Sequence, residues 1–321
     1  MSELVAVDIG GTHARFALAT TQGGRVAHLG TPVTLRTSDF PDLPSAWQEF
    51  GRRTGKALPR AAGIAVAAPV QGETLKLTNN SWVIRPAALA GQLGLDRVLL
   101  VNDFGAVGHA VAQLGADQFR HLYGEPDELP AEGSISIVGP GTGLGAAQVL
   151  RRDGVYHVIE TEGGHVNFAP LDAIDDALLV HLRMRYGRVS AERVASGKGL
   201  ANVYEALCAQ AGRPVQFADE KSLWAAATAA QDPLATAALE RFFLALGSVA
   251  GDIALAQGAV AVVLAGGLGL RLADALQRSG FHRCFTDKGR HAERMARLPI
   301  KLITHPEPGL FGAAAALTRL G

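Results

Sequence analysis

The amino-acid sequence predicts an α/β protein built from two related halves. Strand-like and helix-like segments alternate through the first hundred residues, which is the pattern of an α/β fold. Two short turns rich in glycine and threonine, at residues 10–12 and 141–143, each lie between two apolar runs. The chain has 321 residues, enough for two domains or one large one. The two hairpins are the faint trace of an internal duplication.

Each glycine-threonine turn follows one strand and precedes another, so each closes a hairpin instead of opening a helix. The first joins residues 4–9 to 14–19, and the second joins 134–138 to 146–150. Glycine has no Cβ atom, so backbone N–H groups can converge on an anion, and threonine adds a hydroxyl donor. The candidate phosphate-binding residues are Gly10, Gly11, Thr12, Gly141, Thr142 and Gly143. Two such turns can hold nucleotide phosphates from two sides, which points to phosphoryl transfer.

The remaining elements are assigned in chain order from the spacing of apolar residues. In the first part we expect a helix at 40–53 that ends at Gly55, strands at 63–69, 74–78 and 97–101, a helix at 104–114 and a polar loop at 121–133. Asp153 and Gly154 form a strong hairpin turn before a strand at 155–159. Beyond it we expect mostly helices at 172–257 with a break at 212–219, a strand at 260–264, a helix up to Gly280, a strand at 300–304 and a helix at 309–320.

Composition excludes several classes of protein. Hydrophobic residues make up 48% of the chain and charged residues 19%, as in a well-buried globular enzyme. Lys+Arg 30 balances Asp+Glu 30, so no overall field favours nucleic acid or a membrane surface as a partner. Cys208 and Cys284 are the only cysteines, which suits a reducing cytoplasm. No signal peptide is expected, and the apolar region 233–265 carries charges at helical intervals, typical of buried helices and a strand.

Acidic residues at strand ends are the candidates for catalysis. Asp103 follows an apolar strand directly, the position at which α/β sheets place ligand chemistry. It is the predicted general base, and a helix N-terminus would keep its carboxylate charged. The alternative, that Asp103 caps the helix 104–114, stays open. Asp8, at the end of the first strand, is placed to hold waters of a nucleotide-bound Mg²⁺.

A second group of polar residues suits sugar hydroxyls. Glu162 and His165 stand on a glycine-containing turn and combine an acceptor with a donor, although a plain polar turn fits the same pattern. Glu192 belongs to this group or stabilises the first turn of a helix, with equal weight on pattern alone. Gly266 and Gly267 form either a close-packed strand-to-helix turn or a platform for a nucleotide base.

Two standard nucleotide motifs are excluded. Residues 141–146 match the dinucleotide fingerprint in letters, but a hairpin turn follows at Gly154, and that leaves no room for the crossover helix. No P-loop pattern of glycines followed by Lys-Ser or Lys-Thr occurs. Neither glycine turn contains lysine, so Mg²⁺ and backbone amides should neutralise the phosphates.

Taken together, these segments resemble the bacterial glucokinase family, of the type without a zinc-binding cysteine motif. The resemblance covers nearly the whole chain, and His13 and Pro140 are small departures from the family pattern. Its segments are residues 8–12 with 14–15, 78–82, 102–104, 141–145, 162–166, 190–194, 196–197, 265–267, 287–290 and 308–310.

The resemblance implies a two-domain actin-like, hexokinase-type (ribonuclease H-like) fold with the active site in an interdomain cleft. The smaller α/β domain would contain residues 1–110 and 303–321, and the larger one 111–302. The implied reaction transfers the γ-phosphoryl group of ATP, with Mg²⁺, to the 6-hydroxyl of D-glucose. The resemblance implies these sugar-binding residues: Asn102, Asp103, Glu162, His165 and Glu192. It also implies adenosine near Gly266 and Gly267, and a homodimer.

Two alternatives remain at this stage. The enzyme phosphorylates another hexose, such as mannose or an N-acetylhexosamine, since hexoses differ by single hydroxyl groups. Alternatively, the protein is a sugar-sensing regulator without catalysis, for which a DNA-binding module is expected. The first strand starts by Leu4, so no helix-turn-helix is expected before it, and Asp103 favours an enzyme.

Overall fold

The computed structural model describes residues 1–77, 80–125, 128–217 and 219–320. Thr78 and Asn79, which belong to the predicted strand 74–78 and to one of the resembling segments, lie outside the described residues.

Fourteen strands are present in the described part of the chain. They are β1 Ser2–Ile9, β2 His13–Gln22, β3 Arg25–Leu29, β4 Val33–Arg36, β5 Ala61–Val66, β6 Leu75–Lys76, β7 Val83–Ile84, β8 Arg97–Asn102, β9 Phe119–Tyr123, β10 Gly133–Pro140, β11 Leu144–Arg152, β12 Val155–Thr161, β13 Ala261–Leu264 and β14 Ile300–Ile303.

The same residues form eleven α-helices. They are α1 Leu43–Thr54, α2 Pro86–Leu93, α3 Asp103–Gln113, α4 Ala173–Tyr186, α5 Gly197–Gln210, α6 Glu220–Thr228, α7 Pro233–Ala256, α8 Gly267–Arg278, α9 Phe281–Thr286, α10 Ala292–Arg297 and α11 Pro308–Leu317.

The chain divides into two compact units. The first contains Met1–Gly115, Val158–Glu160 and His305–Gly321, and the second contains Ala116–His157 and Thr161–Thr304. In the first unit the sheet order is β3-β2-β1-β5-β8, with β4 also paired to β2. In the second the order is β12-β11-β10-β13-β14-β9.

The two sheets share one plan, which confirms the predicted duplication. In the first sheet, β1 pairs antiparallel with β2 on one side and parallel with β5 on the other, and β5 pairs parallel with β8. In the second sheet, β10 pairs in the same way with β11 and β13, and β13 pairs parallel with β14. Both glycine turns close hairpins as expected, and β11 follows the second turn as a strand, so the dinucleotide fingerprint is rightly excluded. In the first sheet the register aligns Ile9, Val66 and Asn102, so β1, β5 and β8 end at the same edge.

Three predicted segments differ from the structure. Residues 121–123 belong to β9 and not to a loop, because their backbone pairs with β14 at the edge of the sheet. Strand β6 contains only Leu75 and Lys76. The helices expected at 233–257 are one helix, α7. By length and composition α7 could cross a membrane, but 72% of the apolar window that passes this test is buried inside the protein, as in the core helix of a folded domain.

Helix α11 returns to the first unit and packs there without intervening side chains. A Cβ atom on Gly63 of β5 would overlap the Ala313 carbonyl, and one on Gly312 would overlap the Ala106 carbonyl of α3. Glycine at these two positions lets α11 approach the strand and α3 closely. Because α3 begins at Asp103, the position of that residue depends on this contact.

We expect Gly312→Ala to destabilise the protein by about 1–3 kcal/mol, because the added methyl group meets a backbone carbonyl that cannot turn aside. Gly91→Ala is the matched control, since Gly91 also lies inside a helix but an added Cβ there has nothing within 4 Å. That control should be stabilised by up to about 1 kcal/mol. Urea unfolding, followed by the fluorescence of the buried Trp47 and Trp82, measures both. Equal effects in the two variants would contradict the close packing of α11.

Candidate active site

The first glycine turn has its carbonyl groups bonded to neighbouring residues. Thr37 donates its backbone N–H to the Thr12 carbonyl at 3.0 Å and its hydroxyl to the Gly11 carbonyl at 3.2 Å. The side-chain amide of Asn80 donates to the Gly10 carbonyl at 3.2 Å. Within the described residues, no acceptor is bonded to the N–H groups of Gly11 and Thr12. The turn therefore offers two backbone donors to an anion.

Asp8 lies near the end of β1, between an arginine and a helix N-terminus. Arg15 faces it across the hairpin, with 3.5 Å between Arg15 Nη1 and Asp8 Oδ2, and Arg15 Nε lies 3.5 Å from Glu307 Oε2. A Cβ atom on Gly309, in the first turn of α11, would lie 3.1 Å from Asp8 Oδ2. Burial raises the pKa of Asp8, the Arg15 cation opposes that rise, and the Glu307 carboxylate adds to it.

Asn102 and Asp103 form the junction between β8 and α3. Asn102 is the N-cap residue, and its Oδ1 accepts the N–H groups of Phe104 at 2.9 Å and Gly105 at 3.2 Å. Asp103 is the first helical residue, and its Oδ1 also accepts the Phe104 N–H, at 2.9 Å. Asn102, not Asp103, therefore caps the helix, so the alternative interpretation of Asp103 was wrong about the position of the cap. In the first turn, the helix dipole favours the charged form of a carboxyl group.

Glu160 supports this junction and was missed from the sequence. Its Oε1 accepts the backbone N–H of Asn102 at 2.8 Å. A Cβ atom on Gly105 would overlap the Glu160 side chain, so glycine is needed there for the carboxylate to approach. Glu160 belongs to β12, far from Asn102 along the chain. No local pattern in the sequence indicates that contact.

The second glycine turn is organised like the first. The Gly141 carbonyl accepts the N–H of Gly197, the first residue of α5, at 2.7 Å. The Gly141 N–H closes the turn on the Gly143 carbonyl at 2.8 Å. The N–H groups of Thr142 and Gly143 have no bonded acceptor in the described part of the chain. Both turns thus present two backbone donors each.

Glu192 lies beside this second turn. It stands in a 3₁₀ turn, Ala191–Arg193, and its Oε2 accepts the N–H of Leu144 at 3.0 Å. A Cβ atom on Gly143 would overlap the same carboxylate oxygen. Glu192 therefore lies in the first turn of a short helix, as one of the two interpretations from sequence had it, and its carboxylate is also bonded to the start of β11.

Glu162 and His165 stand at the two ends of another 3₁₀ turn, Gly163–His165. His165 Nε2 lies 3.8 Å from Glu162 Oε2, and both side chains are more than half exposed. A Cβ atom on Gly164 would overlap the backbone carbonyl of Leu144, so this turn packs directly against the start of β11. The polar side chains are therefore held next to the second glycine turn and remain open to solvent.

Backbone hydrogen bonds join the segments that carry these residues. The Ala191 N–H donates to the Val166 carbonyl at 2.8 Å, and the Phe168 N–H donates to the Val189 carbonyl at 3.0 Å. As a result the structure brings Glu162, His165 and Glu192 together around Leu144, although nearly thirty positions separate the first from the last.

A cavity of about 640 Å³ lies within the second unit. Gly141 and Thr142 of the second turn line it, together with Gly267 at the start of α8 and Trp224 of α6. Its neighbour Gly266 has φ 89°, and a Cβ atom there would lie 2.7 Å from the Pro140 carbonyl. Gly266 is thus a close-packed turn residue, as one of the two interpretations from sequence had it, and Gly267 lines the cavity.

Two cations also line this cavity and were missed from the sequence. Lys221 of α6 and Arg271 of α8 are both exposed. Arg271 Nε donates to the Gly267 carbonyl at 3.2 Å. The glycine turns contain no lysine, but two helices place positive charges beside one of them. Such a cavity, with backbone donors, cations and one indole ring, suits an aromatic ligand that carries phosphates.

Comparison with known proteins identifies relatives over the full chain. The family model described as Glucokinase matches residues 4–320. The glucokinase of Zymomonas mobilis is 55% identical over 314 residues, which cover 98% of this chain and 97% of that protein.

Solved structures are similar as well. A glucokinase from an Antarctic psychrotroph has a TM-score of 0.86 and 31% identity, covering 99% of both chains. A ROK family glucokinase from Streptomyces griseus, in complex with glucose and AMPPNP, has a TM-score of 0.66 and 20% identity, covering 100% of both chains. At that identity the second structure supports the fold alone, which is the two-domain actin-like fold expected from the sequence.

We expect Asp8→Asn to raise the stability of the folded protein at neutral pH. Folding raises the pKa of the Asp8 carboxyl group, so the charged carboxylate destabilises the folded state. The free energy of unfolding therefore falls as the pH rises from about 3.9, the pKa of this group in the unfolded chain, through its higher pKa in the folded protein. The increase in the free energy of unfolding caused by Asp8→Asn should therefore be present at neutral pH and vanish below about pH 4. Urea unfolding at both pH values measures it.

Glu49→Gln is the control of opposite sign. Hydrogen bonds from Arg52 and Arg53 lower the pKa of Glu49 to about 2, so its charge contributes stability at neutral pH that is lost on acidification. This substitution should lower stability slightly at neutral pH. A loss of stability in Asp8→Asn at neutral pH would show that its ion pair with Arg15 outweighs its burial.

Proposed function

Because this chain belongs to the glucokinase family, we propose that it transfers the γ-phosphoryl group of ATP to the 6-hydroxyl of D-glucose. One observation carries the chemical part of the proposal. Each of two glycine turns presents two backbone N–H groups without an acceptor in the described structure, and an acidic residue follows β8 at the edge where the parallel strands end. Phosphoryl transfer needs positioning and charge neutralisation of this kind more than covalent catalysis.

ATP occupies the second unit in this proposal. Its base and ribose lie in the cavity between α6 and α8, near Gly266, Gly267 and the indole of Trp224. Thr142 and its neighbouring amides hold phosphates, and Gly10, Gly11 and Thr12 are the other phosphate-binding residues that we propose. Lys221 and Arg271 add positive charge at the cavity. The Streptomyces griseus structure contains AMPPNP, and we propose an adenine nucleotide as the donor for this chain as well.

Mg²⁺ enters with the nucleotide. The donor chemistry fits, since Asp8 supplies carboxylate oxygens, which Mg²⁺ prefers, and keeps 18% of its side-chain surface exposed. No group of three or more His, Cys, Asp or Glu side chains within the described residues forms a metal cage. Asp8 would hold the ion through its waters, and the ion would neutralise phosphate charge.

Five residues bind glucose in this proposal. Asp103 accepts the proton of the 6-hydroxyl as general base, and Asn102 beside it is fixed by its bonds to α3 and Glu160. Glu162 and His165 bind hydroxyls away from the reacting one, because a carboxylate accepts and an imidazole can donate. Glu192 binds the sugar with the carboxylate that also holds the Leu144 amide. The 55% identity to the Zymomonas mobilis glucokinase supports this substrate.

The protein is organised as two domains and as a homodimer in this proposal. We divide the chain into domains 1–110 with 303–321 and 111–302. The enzyme works in the cytoplasm as a homodimer and has neither nucleic acid nor membrane as a partner. Both cysteines are free and buried, which suits a reducing compartment.

A sugar panel with purified protein and ATP tests the function directly. Glucose should be phosphorylated with a much higher kcat/KM than mannose or N-acetylglucosamine. Asp103→Asn should lower kcat about 10²–10⁴-fold, because it loses the proton acceptor but keeps the shape of the side chain. Glucose binding, measured by calorimetry, should change little.

Asp96→Asn is the control for that measurement, since it removes an exposed acid next to β8 that pairs with Arg60 on the surface. Its kcat should equal that of the parent. Near-normal turnover in Asp103→Asn would show that Asp103 has only a structural role. A higher kcat/KM for another hexose than for glucose would show that the other hexose is the substrate.

His165→Ala should raise the glucose KM by about 5–150-fold, the equivalent of an unpaired hydroxyl at about 1–3 kcal/mol, and leave the ATP KM nearly unchanged. Glu192→Ala should raise both constants, because the same carboxylate holds the Leu144 amide next to the second turn. Glu192→Gln keeps an acceptor for that amide and should restore the ATP KM. Initial rates with each substrate varied in turn provide these values. Equal changes for both substrates in His165→Ala would contradict a specific role in sugar binding.

A further inference from the structure

Helix α4 leaves one apolar side uncovered. Twelve large hydrophobic residues of the described chain are exposed, and five of them lie in one segment of nineteen residues. They are Val166 at 43%, Leu171 at 40%, Ile174 at 44%, Val180 at 60% and Met184 at 77%. Single exposed apolar residues need no explanation, but a concentration in one segment, with three of the five residues on α4, marks an interaction surface.

The exposed residues of α4 follow the spacing of a coiled-coil seam. Ala173, Ala177, Val180 and Met184 are separated by four, three and four positions, and all four are exposed. This spacing places them on one side of the helix, with Ile174 next to them. The seam occupies the length of the helix, from its first residue to its last turn.

Two opposite charges flank this seam on the same side. Asp176 and Arg183 are seven residues apart, each directly before a seam residue, Ala177 or Met184. Both are exposed, and neither side chain has an ion-pair or hydrogen-bond partner within the residues described. In coiled coils, charges at such flanking positions select the partner and its orientation.

The opposite face fastens α4 to the second unit. Leu178 and Leu182 are 1% exposed and belong to its core. At the N-terminus, Arg241 Nη1 lies 2.6 Å from Asp172 Oδ2 and 3.3 Å from the buried Asp175 Oδ1. The helix is therefore held in a fixed orientation with its seam outward.

We propose that the seam of α4 binds α4 of a second copy of this chain, antiparallel and across a two-fold axis near residues 179–180. That arrangement puts Asp176 of each copy beside Arg183 of the other, while Ile174 lies near Met184 and the two Val180 side chains meet close to the axis. A parallel pair would leave these charges without opposite partners at the equivalent positions. A symmetric dimer requires a self-complementary patch, and both the apolar and the charge pattern of α4 meet that condition.

The inference names the surface of the homodimer proposed above, and it does not depend on which sugar is phosphorylated. The seam continues towards the candidate site through Leu171 and Val166. Arg188, just after α4, donates to the His165 carbonyl at 2.5 Å. The dimer would therefore cover the flank of the turn that carries Glu162 and His165.

A charge exchange tests this arrangement. Asp176→Arg and Arg183→Asp should each raise the dimer dissociation constant at least about tenfold, because each places like charges together twice in the dimer. The double variant Asp176→Arg/Arg183→Asp should recover the dimer. Sedimentation velocity of the full chain, with a protomer mass of 33.5 kDa, gives the dissociation constants. A double variant no better than the single ones would overturn the antiparallel pairing.

Substitutions at the axis provide a second measurement. Val180→Glu should raise the dimer dissociation constant roughly 100-fold or more. Val215→Glu is the control, since Val215 is 50% exposed elsewhere in the second unit, and it should leave the dissociation constant unchanged. Val180→Cys should form a disulfide-linked dimer under mild oxidation and Val215→Cys should not, since the two native cysteines are buried.

A parent chain that is monomeric, or a dimer that survives Val180→Glu, would overturn the proposal. Glucose phosphorylation is assayed separately on the same variants, none of which alters a residue placed in the site. A variant that loses the dimer but still phosphorylates glucose supports α4 as the dimer interface. If the parent chain does not phosphorylate glucose, that result contradicts only the proposed function.

Discussion

The candidate site depends on one interaction: backbone N–H groups of two tight turns are left without acceptors, while several carbonyl groups of the same turns are bonded to neighbouring residues. In the first turn Thr37 and Asn80 take up the carbonyls, and in the second Gly197 does so. Unpaired carbonyl oxygens near a phosphate would repel it, so these residues matter although none is placed in contact with a ligand.

The same logic explains why several glycines are needed away from the turns. Gly105 leaves room for Glu160 to hold Asn102, and Gly164 lets the turn with Glu162 and His165 pack against Leu144. Gly312 lets α11 contact α3, whose first residue is Asp103. In each case a missing Cβ atom lets a backbone segment or a carboxylate approach closely enough to position a polar side chain.

The candidate functional residues are divided between two units of related topology. Each sheet has a hairpin, a glycine turn and parallel strands that end at one edge. The first unit adds Asp8 and Asp103 at that edge, and the second adds a cavity with two cations and an indole ring. One hairpin plan thus supports acidic residues at a sheet edge in one unit and a cavity with backbone donors and cations in the other.

The sequence by itself determined the α/β class, both hairpins, Asp103 at the start of a helix and the placement of Glu162 and His165 on one turn, because glycine turns and apolar spacing are local signals. Only the tertiary structure decided that Asn102 caps α3, that Glu160 holds Asn102, and that Glu192 bonds Leu144. It also decided that Lys221 and Arg271 line the cavity and that residues 121–123 join a sheet edge. These features rest on contacts between residues distant along the chain or on side-chain directions, and neither is encoded in local spacing.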